Sequence, residues 1–317
     1  MEKVLVTGAG GQLGTELTNA LREQYGTDQV IASDIRPLEG ELTAGPTAVL
    51  DVMQAQAIDD LIAKEKVTQV YHLAAILSAV GEKKPRQAWD LNMQSLLSIL
   101  DIARERQLNK IYWPSSIAVF GPDTPADNTP QSTVMNPNTV YGISKLAGER
   151  WCEYYYMKHG VDVRSLRYPG LIGWKTLPGG GTTDYAVDIY HKALDNGNYS
   201  CFLREDSYLP MMYMPDAIAS TLQLMNAPVE QVKVRSSYNV GALSFSPKEI
   251  AESIKKHLPD FDISYSPDYR QGIADSWPNA VDDSQAREDW GWNHQFDLDT
   301  MTEDILSNLR RLREASK

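Results

Sequence analysis

The sequence contains little cysteine, little positive charge and no long apolar run. Two of its 317 residues are cysteines, and Cys152 and Cys201 offer neither a disulfide framework nor a ligand cluster for zinc, so we expect no metal. The formal net charge is −12, which argues against nucleic acid or an anionic membrane as a partner, because both need clustered Lys and Arg. The longest apolar run, residues 72–80, is far shorter than the roughly 20 residues of a membrane span.

The rest of the composition is typical of a globular protein. Hydrophobic residues make up 42% of the chain and charged residues 23%, which is enough apolar material for a sizeable core. The first residues run into a strand-like segment without a signal-peptide pattern, and we therefore expect a protein of the reducing cytoplasm. The length predicts two domains, or one large domain with a smaller lobe.

Short apolar runs alternate with longer amphipathic segments through the first half of the chain. The runs that are typical of buried strands lie at residues 3–7, 29–33, 69–73, 110–114 and 161–167. The segments that are typical of helices lie at residues 12–25, 54–64, 85–106 and 141–158. This alternation predicts an α/β fold of Rossmann type, with a doubly wound parallel sheet and helices on both faces.

The pattern loosens past residue 170. Residues 173–181 are rich in Gly and Pro, and residues 268–292 are rich in aromatics, Asp and Asn; we expect both to form loops that close over a site. Ser246 and Glu249 predict a helix start, and residues 298–315 a terminal helix. We therefore expect residues 1–172 to form mainly the Rossmann domain. Residues 173–317 then form mainly a smaller substrate lobe, interleaved with late strands of the sheet.

A glycine-rich turn follows the first predicted strand and opens the first predicted helix. Glycines let such a turn be tight and let the backbone approach a pyrophosphate, while the helix N-terminus supplies N–H groups to the phosphates. Asp34 ends the next strand 20 residues after Gly14, where a carboxylate can accept hydrogen bonds from both ribose hydroxyls and favours NAD over NADP. The candidate NAD-binding residues here are Gly8, Gly11, Gln12, Leu13, Gly14 and Asp34.

Asp51 and Val52 follow another short apolar segment. Asp51 can lie near the adenine of the dinucleotide, or it can cap the helix that follows. The sequence leaves both interpretations open, and we include the two residues among the candidate cofactor contacts.

Tyr141 and Lys145 stand four residues apart in a predicted helix and so share one helix face. A phenol with a pKa near ~10 is almost entirely neutral at pH 7, and about 4 kcal/mol is needed to shift its pKa to ~7. A cation roughly 4 Å away contributes about that much at an effective dielectric of ~20. The pair is a candidate tyrosinate base, and the alternative is an exposed pair on a solvated face.

Together these segments resemble the extended short-chain dehydrogenase/reductase family. Residues 7–14 match its Thr-Gly-x-x-Gly-x-x-Gly fingerprint, and residues 141–145 match its Tyr-x-x-x-Lys motif. Residues 115–121 are similar to its Ser-Ser-x-x-Val-Tyr-Gly stretch, with Phe120 in place of Tyr. In that family the active serine lies five residues before the closing glycine, which selects Ser116 over Ser115.

The resemblance implies roles for further residues. The implied catalytic residues are Ser116, Tyr141 and Lys145. Besides Tyr141 and Lys145, the implied cofactor contacts are Leu73, Ala74, Ala75, Asn92 and Tyr168.

Within the family, residues 73–79, 178–186 and 276–292 look like the NAD-dependent L-threonine 3-dehydrogenase branch. That likeness implies oxidation of the C3 hydroxyl of L-threonine to L-2-amino-3-oxobutanoate, with NAD as hydride acceptor and Tyr141 as base. The implied substrate contacts are Ser78, Ser116, Tyr141, Gly181, Thr182, Thr183 and Trp277.

Several of these side chains have a structural alternative. Backbone N–H groups at residues 179–183 can bind a carboxylate at a helix start, but Thr182 or Thr183 can equally cap that helix. The Ser116 hydroxyl can satisfy backbone at a strand end, and Trp277 can be a packing anchor.

Two other functions fit the same fold. A nucleotide-sugar epimerase or dehydratase needs a pocket for a uridine diphosphate, and residues 173–197 offer no obvious basic pair for it. A non-catalytic NAD-sensing protein has no need for Ser116, Tyr141 and Lys145 at the nicotinamide, so these residues argue against it.

The helices at residues 85–106 and 141–158 carry apolar faces beyond what one sheet should need. In the extended family such helices pair across a two-fold axis, and we therefore expect a homodimer.

Overall fold

The computed structural model describes residues 2–177, 179 and 181–315. Within them the strands are β1 Val4–Thr7, β2 Val30–Asp34, β3 Thr47–Val49, β4 Gln69–His72, β5 Lys110–Tyr112, β6 Ser115–Ser116, β7 Val163–Arg164, β8 Leu166–Tyr168, β9 Gly170–Ile172, β10 Asn198–Cys201, β11 Leu209–Tyr213, β12 Tyr238–Asn239, β13 Leu243–Phe245 and β14 Asp262–Tyr265. The helices are α1 Gln12–Tyr25, α2 Ala55–Glu65, α3 Ser78–Lys83, α4 Pro85–Arg106, α5 Val140–His159, α6 Tyr185–Asn196, α7 Met214–Asn226, α8 Pro247–Lys255, α9 Arg270–Ala274, α10 Ser284–Trp290 and α11 Leu298–Ala315. Short 3-10 turns lie at Thr27–Gln29, Gly40–Ala44 and Ile117–Val119.

A parallel sheet forms the centre of the fold, with the strand order β3-β2-β1-β4-β5-β7. The chain runs outward from β1 to β3 and then returns to β4 on the other side of β1. The winding therefore reverses between β1 and β4, as in a doubly wound Rossmann sheet. The predicted fold class is confirmed.

The sheet is covered on both faces, and β1 is buried along its whole length. Val4 and Val6 point into a core shared with α1 and α7, whereas Leu5 points into a second core with α2 and α4. This alternation follows from the two-residue repeat of a strand. It explains why central strands appear in the sequence as continuous apolar runs.

Helix bounds agree closely with the sequence prediction. α1 and α4 have the predicted bounds, and the bounds of α2 and α5 differ from the predicted ones by one residue at each end. The predicted capping box at Ser246 and Glu249 is present, because each side chain accepts a hydrogen bond from the backbone N–H of the other residue.

Two smaller sheets combine strands that lie apart in the sequence. β8 lies between β6 and β12, while β11 lies between β9 and β13. Around β9 and β11, helices α6, α8 and α11 enclose a separate hydrophobic core. The division near residue 172 into a Rossmann domain and a substrate lobe stays a prediction.

Three elements differ from the prediction. The run at 161–167 is broken at Ser165 into β7 and β8, which pair with different strands. The segment 268–292, predicted as loop, contains α9 and α10, and α10 buries Trp290 edge-on against Tyr238. The edge strand β3 was not predicted, because its residues are mostly exposed and carry little apolar signal.

Among residues 2–177, 179 and 181–315, no helix combines the length and the apolar content that crossing a membrane requires.

Candidate active site

A cleft of about 1100 Å³ opens at the carboxyl ends of the central strands. It lies beside Thr7 and His72, where β1 and β4 end, which is the position that the reversal of strand order predicts for a ligand. Its lining includes these sequence-predicted residues: Gly8, Gly11, Gln12, Leu13, Gly14, Asp34, Asp51, Val52, Leu73, Ala74, Ala75, Ser78, Ser116, Tyr141, Lys145, Tyr168, Gly181, Thr182, Thr183 and Trp277. Pro178 and Gly180, part of the sequence segment used above, lie outside the described residues.

The glycine turn between β1 and α1 allows very close backbone contacts. Gly8 has a φ of 72°, and a Cβ atom there would lie 2.7 Å from the Ala74 backbone nitrogen. A Cβ atom on Gly14 would meet the carbonyl oxygen of Gly8. A side chain at Gly8 would therefore push the turn away from the loop after β4, and a side chain at Gly14 would distort the turn itself.

The N-terminus of α1 faces this turn without a side-chain cap. Its N-cap residue is Gly11, which makes no capping hydrogen bond. The first N–H groups and the positive end of the helix dipole are thus directed to the cleft, which suits a pyrophosphate.

Asp34 ends β2 at the rim of the cleft. Its Oδ2 accepts a hydrogen bond of 3.1 Å from the Gly10 backbone nitrogen, and the residue is partly exposed. The fixed carboxylate is placed as a ribose acceptor, and its charge disfavours a 2′-phosphate. The glycine turn, the uncapped helix and Asp34 together fit a bound NAD.

Asp51 also lines the cleft, and it does not cap α2. Its Oδ1 accepts a hydrogen bond of 2.9 Å from the Met53 backbone nitrogen, and the N-cap of α2 is Gln54. The placement of Asp51 therefore agrees with a position beside the cofactor and not with a helix cap.

Tyr141 and Lys145 come to the cleft from the first turns of α5. The helix is capped by Thr139, whose Oγ1 accepts a hydrogen bond of 3.1 Å from the Gly142 nitrogen. A Cβ atom on Gly142 would meet the carbonyl oxygen of Ala118. The helix can therefore lie against the turn that follows Ser116, which brings Tyr141 to that serine.

Ser116 makes two contacts, one for each of the roles considered for it. Its Oγ accepts a hydrogen bond of 3.2 Å from the Ala118 nitrogen, so it caps the 3-10 turn. It also hydrogen-bonds to the Tyr141 side chain, which favours the ionised phenol.

The electrostatics of Tyr141 differ from the prediction. Burial raises the pKa of Tyr141 to about 12, although the Ser116 hydrogen bond opposes the rise. Burial also lowers the pKa of Lys145 to about 7. The Lys145 ammonium donates a hydrogen bond of 2.6 Å to the carbonyl of Pro114 and lies 5.5 Å from the Tyr141 ring centroid. The expected lowering of the phenol pKa by Lys145 is thus not present in this structure.

Asn92 does not line the cleft. Its side-chain amide accepts from the Ile76 nitrogen at 2.8 Å and donates to the Ile76 carbonyl at 3.1 Å. The same Nδ2 donates to Ser144 on α5 at 3.2 Å. Asn92 therefore holds the loop after β4, and its direct contact with the cofactor stays a prediction.

Tyr168 lines the cleft, but its hydroxyl points into the protein core. It accepts a hydrogen bond of 2.7 Å from Tyr112 and also hydrogen-bonds to Thr221. The phenol oxygen is thus occupied by the core. Leu73, Ala74 and Ala75 lie where β4 ends and are partly exposed to the cleft.

The far side of the cleft is formed by loops and helix starts. Thr182 is 1% exposed, and its hydroxyl has no hydrogen-bond partner among the described residues. The N-cap of α6 is Asp184, so neither Thr182 nor Thr183 caps that helix. The Gly181 nitrogen donates to Asp184 Oδ2 at 2.7 Å.

Ser78 and Trp277 complete this side. Ser78 opens α3 and is buried at the cleft. Trp277 lines the cleft and packs against two hydrophobic cores. Its position is therefore compatible both with a packing role and with covering the substrate.

Sequence reasoning missed several lining residues. They include Thr15, Ile35, Arg36, Leu38, Leu91, Leu171 and Asp184. Those after β2 and β8 follow the carboxyl ends of strands, and that rule could have identified them. Leu91 lies on α4 and carries no motif that would identify it.

Among the described residues, no group of three His, Cys, Asp or Glu side chains could hold a metal ion. The geometry is that of a Rossmann cleft with a serine, a tyrosine and a lysine at one end.

The profile of the NAD dependent epimerase/dehydratase family matches residues 4–241. The chain therefore belongs to this family, and the resemblance to extended short-chain dehydrogenases/reductases is confirmed. An uncharacterized epimerase/dehydratase of Staphylococcus saprophyticus is 49% identical over 309 residues, covering 96% of either chain.

Two solved structures are similar over almost the whole chain. A GalE-like L-threonine dehydrogenase from Cupriavidus necator, in its holo form, is 54% identical with a TM-score of 0.95, covering 97% of this chain and 99% of that one. A monomeric L-threonine 3-dehydrogenase from a metagenome database is 49% identical with a TM-score of 0.94, covering 98% and 99%. The cofactor is NAD, and the chain is an NAD-dependent oxidoreductase of this family.

Proposed function

We propose that this protein oxidises the C3 hydroxyl of L-threonine to L-2-amino-3-oxobutanoate. The observation that carries the proposal is the meeting of Ser116, Tyr141 and Lys145 in the cleft that the glycine turn also lines. The close likeness to solved L-threonine dehydrogenases supports the substrate.

The chain supplies the proton acceptor for this reaction. Tyr141, as phenolate, takes the hydroxyl proton while the C3–H bond breaks and a C3=O bond forms. Bound NAD supplies the hydride acceptor. Ser116 hydrogen-bonds the reacting oxygen and orients it toward Tyr141, and such positioned base catalysis contributes typically ~10²–10⁴-fold.

The phenolate must form at a pH far below 12, so the pKa of Tyr141 must fall from the value it has in this structure. The Lys145 ammonium lies 5.5 Å from the ring centroid, and its charge would lower that pKa. Lys145 would also hold the nicotinamide ribose hydroxyls.

Thr182 is the side chain best suited to the amino acid substrate. A buried hydroxyl without a partner is costly unless a ligand satisfies it, and its donor can meet the carboxylate of L-threonine. Thr183, Ser78 and Trp277 lie along the same side and would enclose the rest of the substrate.

The test is NADH formation from NAD with L-threonine, followed by absorbance. L-serine and UDP-glucose serve as comparison substrates. We expect NADH with L-threonine and none with UDP-glucose. Interconversion of UDP-sugars without net NADH would instead identify an epimerase, and NAD binding without any turnover would identify a sensor.

We also propose that the protein forms a homodimer through α4 and α5. The outward faces of these helices expose the large side chains of Trp89, Trp151, Tyr154 and Met157, an apolar area typical of a protein interface. The related metagenome enzyme is monomeric, so the oligomeric state needs its own measurement. Light scattering should give twice the chain mass for the wild type and the single-chain mass for Trp151→Glu. The location in the cytoplasm stays a prediction.

A further inference from the structure

A buried ion pair lies directly behind the catalytic residues. Glu149 is 0% exposed and Arg167 is 2% exposed. The guanidinium donates from Nε to Glu149 Oε1 at 2.9 Å and from Nη2 to Oε2 at 2.8 Å. The Ser115 hydroxyl donates to the same Oε1 at 2.7 Å.

This pair connects the helix to both strands of the site. Glu149 follows Lys145 by four residues on α5, as Lys145 follows Tyr141, so the three share one helix face. Ser115 and Arg167 are register partners in β6 and β8. Because side chains alternate along a strand, Ser116 lies on the opposite face, at the cleft.

We propose that Glu149 is a positioning residue that keeps Lys145 charged and fixes Ser116 relative to Tyr141. The inference rests on the proposed function. The geometry supports it because the Glu149 carboxylate accepts a hydrogen bond from Ser115, the residue before Ser116 in β6. Glu149 also lies about one helix turn after Lys145 on α5.

The titratable groups around Lys145 come from three elements. Tyr141, Glu149 and Cys152 lie on α5 itself, His72 faces it from β4, and Arg167 of β8 reaches it through Glu149. Burial lowers the pKa of His72 to about 3, and Lys145 adds to that effect, so the imidazole is neutral near pH 7.

Glu149 is then the anion that acts on Lys145 near neutral pH. Burial lowers the pKa of Lys145 to about 7, and Cys152 and Glu149 oppose that fall. Burial also raises the pKa of the Cys152 thiol far above neutral, so Cys152 carries no charge there. Removal of the Glu149 charge should therefore release the Lys145 proton at a lower pH.

The test is the titration of Lys145, measured by NMR of the full-length protein labelled with ¹³C at lysine Cε. A Lys145→Met spectrum identifies the resonance. Glu149→Gln should lower the midpoint by about one pH unit, and L-threonine oxidation at neutral pH should fall about tenfold with little change in KM. Ser115→Ala is the matched control, because it weakens the same contact without changing charge, and its midpoint should move by less than about 0.3 pH unit.

Glu149→Gln leaves the Arg167 cation without its partner and can fail to fold. The double variant Glu149→Gln/Arg167→Met removes both charges, and its Lys145 midpoint should fall by a smaller amount than that of the single variant. An unchanged midpoint in the folded Glu149 variants, or an equal shift in Ser115→Ala, would overturn the inference. The titration needs no substrate, so failure of the wild type to oxidise L-threonine would refute the proposed function alone.

Discussion

The cleft has two sides that are built differently. The cofactor side, residues 8–14 with Asp34, presents mainly backbone groups, and at Gly8 and Gly14 the backbone passes too close to other backbone atoms to admit a side chain. The proposed substrate side, Ser78, Thr182, Thr183 and Trp277, presents side chains from segments that lie far apart in the sequence. A substitution on the cofactor side should therefore distort the backbone that binds NAD, whereas a substitution on the substrate side should change the affinity for the substrate alone.

The two sides meet at Tyr141, and its substitution should have the largest effect. Tyr141→Phe removes the proton acceptor but little volume, so turnover with L-threonine should fall about 10³-fold. NADH affinity, measured by fluorescence titration, should stay within about twofold. Tyr154→Phe, an exposed tyrosine on the same helix, should leave both unchanged. Equal loss of turnover and NADH affinity in Tyr141→Phe would indicate a structural tyrosine.

Gly14→Ala should affect the cofactor side next most strongly. Its Cβ atom would lie 2.8 Å from the Ala9 Cα and still closer to the Gly8 carbonyl. We expect a loss of about 1–3 kcal/mol in the free energy of unfolding and at least tenfold weaker NADH binding. Gly272→Ala is the control, since nothing lies within 4 Å of its added methyl group. An unchanged NADH affinity in Gly14→Ala would contradict the close packing of Gly14 against Gly8.

Thr182→Val should act on the substrate side alone. The hydroxyl has no partner among the described residues, so its loss should not lower the melting temperature. The KM for L-threonine should rise about tenfold, in line with one lost hydrogen bond to a charged group, while the KM for NAD is unchanged. Thr18→Val removes another buried hydroxyl that has no partner within the described part of the chain. Thr18 does not line the cleft, so this substitution should leave both constants unchanged.

The smallest of these effects concerns stability and comes from the burial of the Lys145 charge. Its folded pKa of about 7 lies below the ordinary value of 10.5, so the unfolded chain binds more protons between these values. Stability should therefore rise with pH across that window. Lys145→Met should melt a few degrees above the wild type at neutral pH, and this difference should shrink toward pH 10. A constant difference across the window would show that Lys145 is not neutralised by burial.

The cofactor side was the part of the site that the sequence predicted most directly. The turn at 8–14 needs glycines because the backbone passes so close to itself, and Asp34 falls at a strand end that its apolar residues identify. The contact of Gly14 with Gly8 acts between near neighbours in the sequence and therefore leaves a local pattern. Asn92 lacks a pattern of this kind, since its partner Ile76 lies on a separate loop.

The sequence by itself determined the alternation of strands and helices, the glycine turn and the placing of Tyr141 and Lys145 on one helix face. All of these follow from repeats of two to four residues. Only the tertiary structure determined the pKa values of Tyr141 and Lys145. It also determined that the Thr182 hydroxyl has no partner among the described residues and that Glu149 pairs with Arg167. These depend on burial and on contacts between distant segments, which no local spacing encodes.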